Sequence, residues 1–568
     1  MNLKMPTSSP GIHITRSKAH YRPDIDGLRG VAVLLVLVYH GFARFLPGGF
    51  IGVDIFFVIS GYLITSILVN DLNKNRFSIA RFYARRIKRI FPALATVLAV
   101  TCGFGWLVLF PDEFRQLGKH VAGGVAFISN LLLWRETGYF NNTAELKPLL
   151  HLWSLGIEEQ FYIFFPLLLW LAYRKGWASA PFLVILLLIS LGLSIGTTPI
   201  RPIAAFFLPF TRFWELLVGC TLAMVELKPD PLTERWLGHA WPAAAAVAGA
   251  DRRFTPNAMA GLGLALIIAG AFYLNKNYPF PGFWALLPTV GAALVIFVGR
   301  GSFLNRWLLS NRILVSVGLI SYPLYLWHWP LLYFGRILLP TGMSDLTIAA
   351  ILVAAGLLAA LTYLLIERPI RYGGLFQTKK VLCLSVGMAG LLVFGLLAMR
   401  GHLPSRWGRN PQFGDIGKAA SEFSYPFPNN WQRTSGFKVD AEIVRGKPEQ
   451  AILFVGDSHM QYYWPRIEQT LNRLQGNARP VMFVTSGASP TLPNVDHVAP
   501  GFTSGRFFDF AMQTACETNV ATVVFSCSWE EYFIGHFPIH DPHDIYRVGD
   551  EQKTLPSHRN LKKRLEIS

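Results

Sequence analysis

The sequence predicts an all-α, many-spanning membrane domain followed by a smaller, partial α/β domain. Three observations carry that prediction. Hydrophobic residues fill 52% of the 568 positions and charged residues only 15%, with a mean hydropathy of +0.36. A water-soluble domain carries charge at about one residue in four, so the surplus apolar surface must face lipid. Eleven apolar stretches are long enough to cross a bilayer, and beyond Arg400 the composition turns abruptly polar.

Taken in order, residues 1–20 are polar and basic and read as a cytoplasmic tail. No small-residue cleavage site follows the first apolar run, which is therefore expected to stay as an anchor. Spans are expected at roughly 28–46, 50–70, 90–110, 152–173, 180–197, 203–226, 257–275, 283–299, 311–336, 346–366 and 380–399. Each comes near the requirement of about 20 apolar residues per crossing. The first ten form one domain over 21–372, and the eleventh, within 373–400, links it onward. Val121 to Trp134 is short and interrupted by Gly123, Gly124, Ser129 and Asn130, so it reads as re-entrant. Basic residues cluster at Lys18, Arg22 and Arg29, at Arg81, Arg85, Arg86, Lys88 and Arg89, and at Arg368, Arg371, Lys379 and Lys380. Such clusters between spans mark the cytoplasmic side, and they explain the net charge of +18 without invoking nucleic acid. An odd number of spans then puts the N-terminus inside and everything after Arg400 outside.

Residues 401–448 are rich in Pro, Gly, Ser and Asn, as in a linker. Strand-like runs follow at Ala451–Val455, Val481–Thr485 and Ala521–Ser526, alternating with helical patterns such as Tyr462–Leu474. They predict a parallel α/β sheet over 449–568. The five cysteines show no metal-ligand spacing; Cys516 and Cys527 either pair outside the cytoplasm or stay as free thiols.

Ionisable groups within spans are costly and usually functional. Arg29 and His40 lie eleven residues apart, about 16 Å along one helix and on nearly the same face. A histidine can deprotonate a hydroxyl near neutral pH, and an arginine can hold a phosphate. The plain alternative is an interfacial arginine and a pore-lining histidine with no chemistry. Further polar clusters follow: Gly52-Val53-Asp54, the Phe82-to-Pro92 stretch with Arg86 and Arg89, and His151-Leu152-Trp153-Ser154 running to Glu158-Glu159. The two carboxylates need partners, for which His40 or a cytoplasmic arginine would serve. Later come Arg212-Phe213-Trp214-Glu215, Ser321 to Pro330 and Glu367-Arg368-Pro369. Glu215 and Glu367 are expected in ion pairs with Arg212 and Arg368, and His328, between two tryptophans, as a packed interfacial residue.

Taken together, residues 20–372 resemble the membrane-bound acyltransferase family 3. The Arg-x10-His pair at Arg29 and His40, the arginines at 86 and 89, and the Glu158 region match in order. The resemblance implies transfer of an acyl group, commonly acetyl from cytoplasmic acetyl-CoA, with no tightly bound cofactor. Arg29, Arg86 and Arg89 would bind the donor, His40 would act in transfer, and Glu158 would orient or charge-balance it. For Arg85 and Lys88 a purely topogenic role is favoured.

The stretch Ile452 to His459 runs from a strand into Gly456-Asp457-Ser458 and resembles the first block of SGNH-type hydrolases. Ser458 would be the nucleophile and Gly487 part of an oxyanion hole; the plain alternative is a helix start capped by Asp or Ser. The Asp-x-x-His that such domains need is missing. Asp541-Pro542-His543-Asp544 has the wrong spacing, which leaves His540 and His543 poor candidates and predicts a shortened or inactive domain. The expectation is an inner-membrane O-acetyltransferase acting on an envelope polysaccharide such as lipopolysaccharide O-antigen. A multi-span transporter or flippase, and a degenerate scaffold, are the alternatives. A transporter should show paired broken helices in two halves, and no such pairing is evident.

Overall fold

The structure is a computed structural model. It describes residues 21–136, 147–227, 254–339, 342–372, 377–404 and 406 of a helical unit. Of a second unit, beginning near residue 407, it describes 432–433, 440–443, 451–474, 479, 481–485, 495–499, 502–503, 507–517, 520–527, 545–548 and 555–556.

Eight helices of the first unit are long and apolar enough to cross a membrane. They are α1 (Pro23–Phe42), α2 (Gly52–Asn73), α3 (Ile79–Val108), α6 (Leu152–Arg174), α7 (Ala180–Thr197), α10 (Phe254–Tyr273), α14 (Asp345–Thr362) and α15 (Gln377–Met399). This is the architecture of a multi-pass membrane protein. The other three expected spans are shorter or broken, for local reasons. In 203–226 a short α8 (Pro202–Phe207) and α9 (Phe213–Leu227) are separated where Pro209 holds Leu208 extended. Over 283–299, α11 (Leu286–Val298) ends at Gly299, whose φ of +56° suits glycine. Over 311–336 the chain forms α12 (Arg312–Leu319), capped by Asn311, and then α13 (Ser321–Leu338). The stretch 121–134 is not one helix: α4 (Pro111–Val125) and α5 (Ser129–Glu136) meet at a break.

The basic run 81–89 is not a loop between spans but the first turns of α3. Ser78 caps the helix by accepting from the Arg81 N–H, and arginine and lysine are good helix formers. The 30 residues of α3 reach about 45 Å, so its polar start extends beyond its apolar part.

Close packing fixes the bundle around the polar residues. Gly61 of α2 and Gly219 of α9 let the two backbones touch: a Cβ on either would lie 1.8–2.0 Å from the partner's carbonyl oxygen. Beside that contact Arg212 bonds Asp54 at 3.0 Å and Glu215 at 3.2 Å, with Phe57, Trp153, Phe206 and Phe280 around its guanidinium. Glu215 thus has the expected partner. Glu367 does not: it pairs with Arg371 at 3.4 Å rather than with Arg368, because residues four apart share a helix face and adjacent residues do not.

In the second unit, β3 (Ala451–Gly456) lies between β4 (Val481–Thr485) and β7 (Val520–Ser526), parallel to both, as expected. β2 (Asp440–Ile443) adds antiparallel to β4, and β1 (Gln432–Arg433) pairs with β2. β5 (Val495–Ala499), β6 (Phe502–Thr503), β8 (Ile545–Val548) and β9 (Leu555–Pro556) form a separate antiparallel sheet. The helical pattern at 462–474 forms Trp464–Leu474. All five cysteines are free thiols, Cys516 exposed and Cys527 buried.

Candidate active site

Five helices of the first unit line a partly open cavity. Arg29 comes from α1, Ser60 from α2, Arg86 and Arg89 from α3, Glu158 and Glu159 from α6, and Ser321, Tyr322 and Tyr325 from α13. The helical register of α3 explains the arginines. Residues 86 and 89, three apart, both reach the cavity, whereas Arg85 is drawn to its outer side by an ion pair with Asp71 at 2.8 Å. A second, basic hollow of about 710 Å³ adjoins this end, lined by Arg85, Arg86, Lys88, Arg89 and Arg371.

The charges at this end are unevenly matched. Arg29 bonds Asp26 at 3.2 Å. Arg86 stacks over Tyr162, 4.3 Å from its centroid, and among the described residues neither Arg86 nor Arg89 bonds a carboxylate. Glu158 accepts from the Ser60 hydroxyl at 2.9 Å and faces the three guanidiniums across the cavity. Of the partners foreseen for the carboxylates, His40 or a cytoplasmic arginine, neither bonds Glu158, whose hydrogen bond goes to Ser60. Glu158 lines the cavity, whereas His40 is not among its lining residues.

At the far end of the cavity Tyr325 and Ser154 join, their oxygens 2.7 Å apart. Both hydroxyls reach the His151 carbonyl, Tyr325 at 2.8 Å and Ser154 at 3.3 Å, so the three oxygens form one hydrogen-bonded cluster. Behind this pair sit three histidines. The His40 Nδ1 is 3.0 Å from Nε2 of His328, and the His328 Nδ1 donates to the Tyr325 carbonyl at 2.6 Å. The His151 ring lies 5.6 Å from that of His328, centroid to centroid. Trp329 packs its edge on His40 and donates to the Lys147 carbonyl, while Arg336 donates to the His40 carbonyl. Among the described residues no group of three or more His, Cys, Asp or Glu has the geometry to hold a metal ion.

His328 is therefore not an interfacial residue: it is fully buried and bonded to His40. His151, Ser154 and Tyr325 join the site although the sequence reading gave none of them a role. Their signal was present as two i,i+3 pairs, His151 with Ser154 and Tyr325 with His328, each on one helix face.

In the second unit, Ser458 opens the short helix Ser458–Gln461 directly after β3. Asp457 caps it, accepting from the His459 N–H at 2.8 Å, so the capping role weighed for this turn is real. A Cβ on Gly456 would meet the Ser526 carbonyl at 1.9 Å, so only glycine fits this strand-to-turn junction. Gly487, His540 and His543 lie outside the described residues, as do Asp541 and Asp544.

The family model described as an acyltransferase domain matches residues 22–367, more than half of the chain. The chain belongs to the acyltransferase-3 family. The O-acetyltransferase OatA of Staphylococcus aureus (strain NCTC 8325 / PS 47) is 32% identical over 409 residues, covering 70% of this chain and 64% of the relative. The peptidoglycan O-acetyltransferase OatA of Listeria monocytogenes is 31% identical over 384 residues, covering 64% of this chain and 58% of the relative. This acyltransferase-3 chain thus matches less than two thirds of the length of either relative. No solved structure matches it. The family match encloses every residue of the cavity and the histidine cluster, and stops before Ser458.

Proposed function

We propose that this chain is a membrane O-acetyltransferase that moves an acetyl group from acetyl-CoA to a hydroxyl of a cell-envelope polysaccharide. One observation carries the reading. Arg86 and Arg89, bonded to no carboxylate among the described residues, line one end of a cavity whose other end abuts the His40–His328 pair. Guanidiniums that bond no carboxylate, beside a basic hollow, suit the phosphates of a coenzyme A ester. The pantetheine arm would run along the cavity, bringing the thioester toward Ser154 and Tyr325. His40 would take the proton of the attacking hydroxyl as the new C–O bond forms; the C–S bond breaks, and the proton leaves with the thiol. The ester so formed would pass to the Ser458 hydroxyl and from it to a sugar hydroxyl, each exchange forming one C–O bond, breaking another, and moving a proton from the accepting oxygen to the departing one.

Peptidoglycan is the acceptor in the name of the Listeria relative, and lipopolysaccharide has no comparable support. The direct test measures base-labile acetate on the envelope polysaccharides of cells carrying His40→Ala. Loss of that acetate is expected, and an unchanged level would sink the reading.

A further inference from the structure

We infer that His328 is a positioning residue that fixes the tautomer of His40, so that His40 presents Nε2, with its lone pair, as the base. The inference rests on the reading of His40 as that base. It begins at the Tyr325 carbonyl, which can only accept a hydrogen bond. With His328 Nδ1 at 2.6 Å from that oxygen, the Nδ1 must carry the proton. Neutral His328 then has its lone pair on Nε2, and that nitrogen faces Nδ1 of His40 at 3.0 Å. His40 must therefore donate from Nδ1, and its own lone pair falls on Nε2.

The other neutral arrangement fails on contact. If His328 donated from Nε2, its bare Nδ1 would press a lone pair against the carbonyl oxygen at 2.6 Å. An imidazolium at His328 would sit wholly buried, with no carboxylate bonded to either ring among the described residues and with Arg336 nearby. Burying an unpaired charge is costly. One proton arrangement is left.

The free face of His40 is the right one for chemistry. As a residue His40 is half-buried whereas His328 is 0% exposed, and the His40 Nε2 has no hydrogen-bond partner among the described residues. The second histidine thus plays the part that a carboxylate plays beside a catalytic imidazole elsewhere: it holds the ring and dictates which nitrogen is bare.

Two substitutions separate this role from mere packing, because they imitate different nitrogens. Glutamine at this position places an amide oxygen near the site of Nε2, where it can accept from His40. Asparagine places its amide near Nδ1, keeping the bond to Tyr325 but losing reach to His40. We would measure CoA release from acetyl-CoA by the purified full-length chain in nanodiscs with an envelope-glycan acceptor fraction, using only variants that elute as monodisperse protein.

His328→Asn is expected to lower kcat at least about tenfold, a partial loss of the roughly 100-fold or more that a general base contributes, with KM for acetyl-CoA within about twofold. His328→Gln is expected to keep kcat within about threefold of the parent. Equal activity of the two variants, whether both high or both low, overturns the inference, as does a loss confined to KM or a higher kcat for His328→Asn than for His328→Gln. His40→Ala runs alongside. If it retains full turnover, the reading of His40 itself fails; if it is inactive while His328→Asn and His328→Gln match each other, only the positioning role fails.

Discussion

Arg89 and Arg85 differ by one turn of α3 and by their partners. Arg89 lines the cavity without a carboxylate among the described residues, while Arg85 is held by Asp71. Removing a charge-assisted hydrogen bond costs about 1.5–3 kcal/mol, or about 10- to 150-fold in affinity. Arg89→Ala is therefore expected to raise KM for acetyl-CoA by at least about tenfold, with kcat changed much less. Arg85→Ala should raise KM far less, and initial rates across a donor concentration series distinguish the two. Residue type and spacing alone pointed to Arg29, His40, Arg86, Arg89 and Glu158. They did not reveal that His40 answers to His328, because the two are 288 positions apart and meet only through packing of α1 on α13.

Two element-level contacts make testable claims about stability. The α2–α9 seam depends on Gly61, so Gly61→Leu would push a side chain into the Leu216 carbonyl and part the helices. Overpacking of this kind costs about 1–3 kcal/mol or more. A lower melting temperature of the purified protein is expected, while Gly192→Leu, where a Cβ meets nothing, should be nearly neutral.

The break between α4 and α5 holds a different device. Glu136 ends α5 and pairs with Lys119 at 2.6 Å, Lys147 at 2.8 Å and His120 at 3.3 Å, outside the long spans. Burial pushes its carboxyl up, but these partners outweigh burial and hold it well below the usual carboxylate range. The stabilisation is complete above about pH 4.5 and is lost as the pH falls below it, since the unfolded carboxyl then binds a proton that the folded one resists. Thermal melts between pH 7 and pH 3 should show that loss. Glu136→Gln should lower the melting temperature at pH 7, reflecting a stability loss on the order of 3 kcal/mol for a broken buried pair, and flatten the acid limb. At this scale the helical pattern and the interruption of 121–134 were legible in the sequence, but the breaks near 209 and 299 were not. Proline at 209 and glycine at 299 act on one residue's dihedrals, which a window of hydropathy averages away.

For the whole molecule, the claims concern sidedness and the handover. An alkaline phosphatase fused after Met399 should be active and one fused after Tyr372 inactive if α15 carries the chain out of the cytoplasm. The reverse pattern would overturn the proposed orientation. Ser458→Ala should abolish acetate on the polysaccharide while leaving CoA release by the helical unit measurable; equal polysaccharide acetylation would show that Ser458 is not on the route.

Read along the chain alone, the residues already specify a many-helix membrane protein with an α/β unit behind it, and they single out the arginines and the first histidine. Those features are one-dimensional: apolar length, charge clusters and spacing along one helix survive without any fold. Which polar groups meet is settled only by packing. Folding brought Glu158 to the arginine end, made the basic run the start of α3, and set His328 against His40, with Tyr325 closing the gap. The reason is physical: a buried polar group must be paired, and the only partners within reach come from helices distant in sequence.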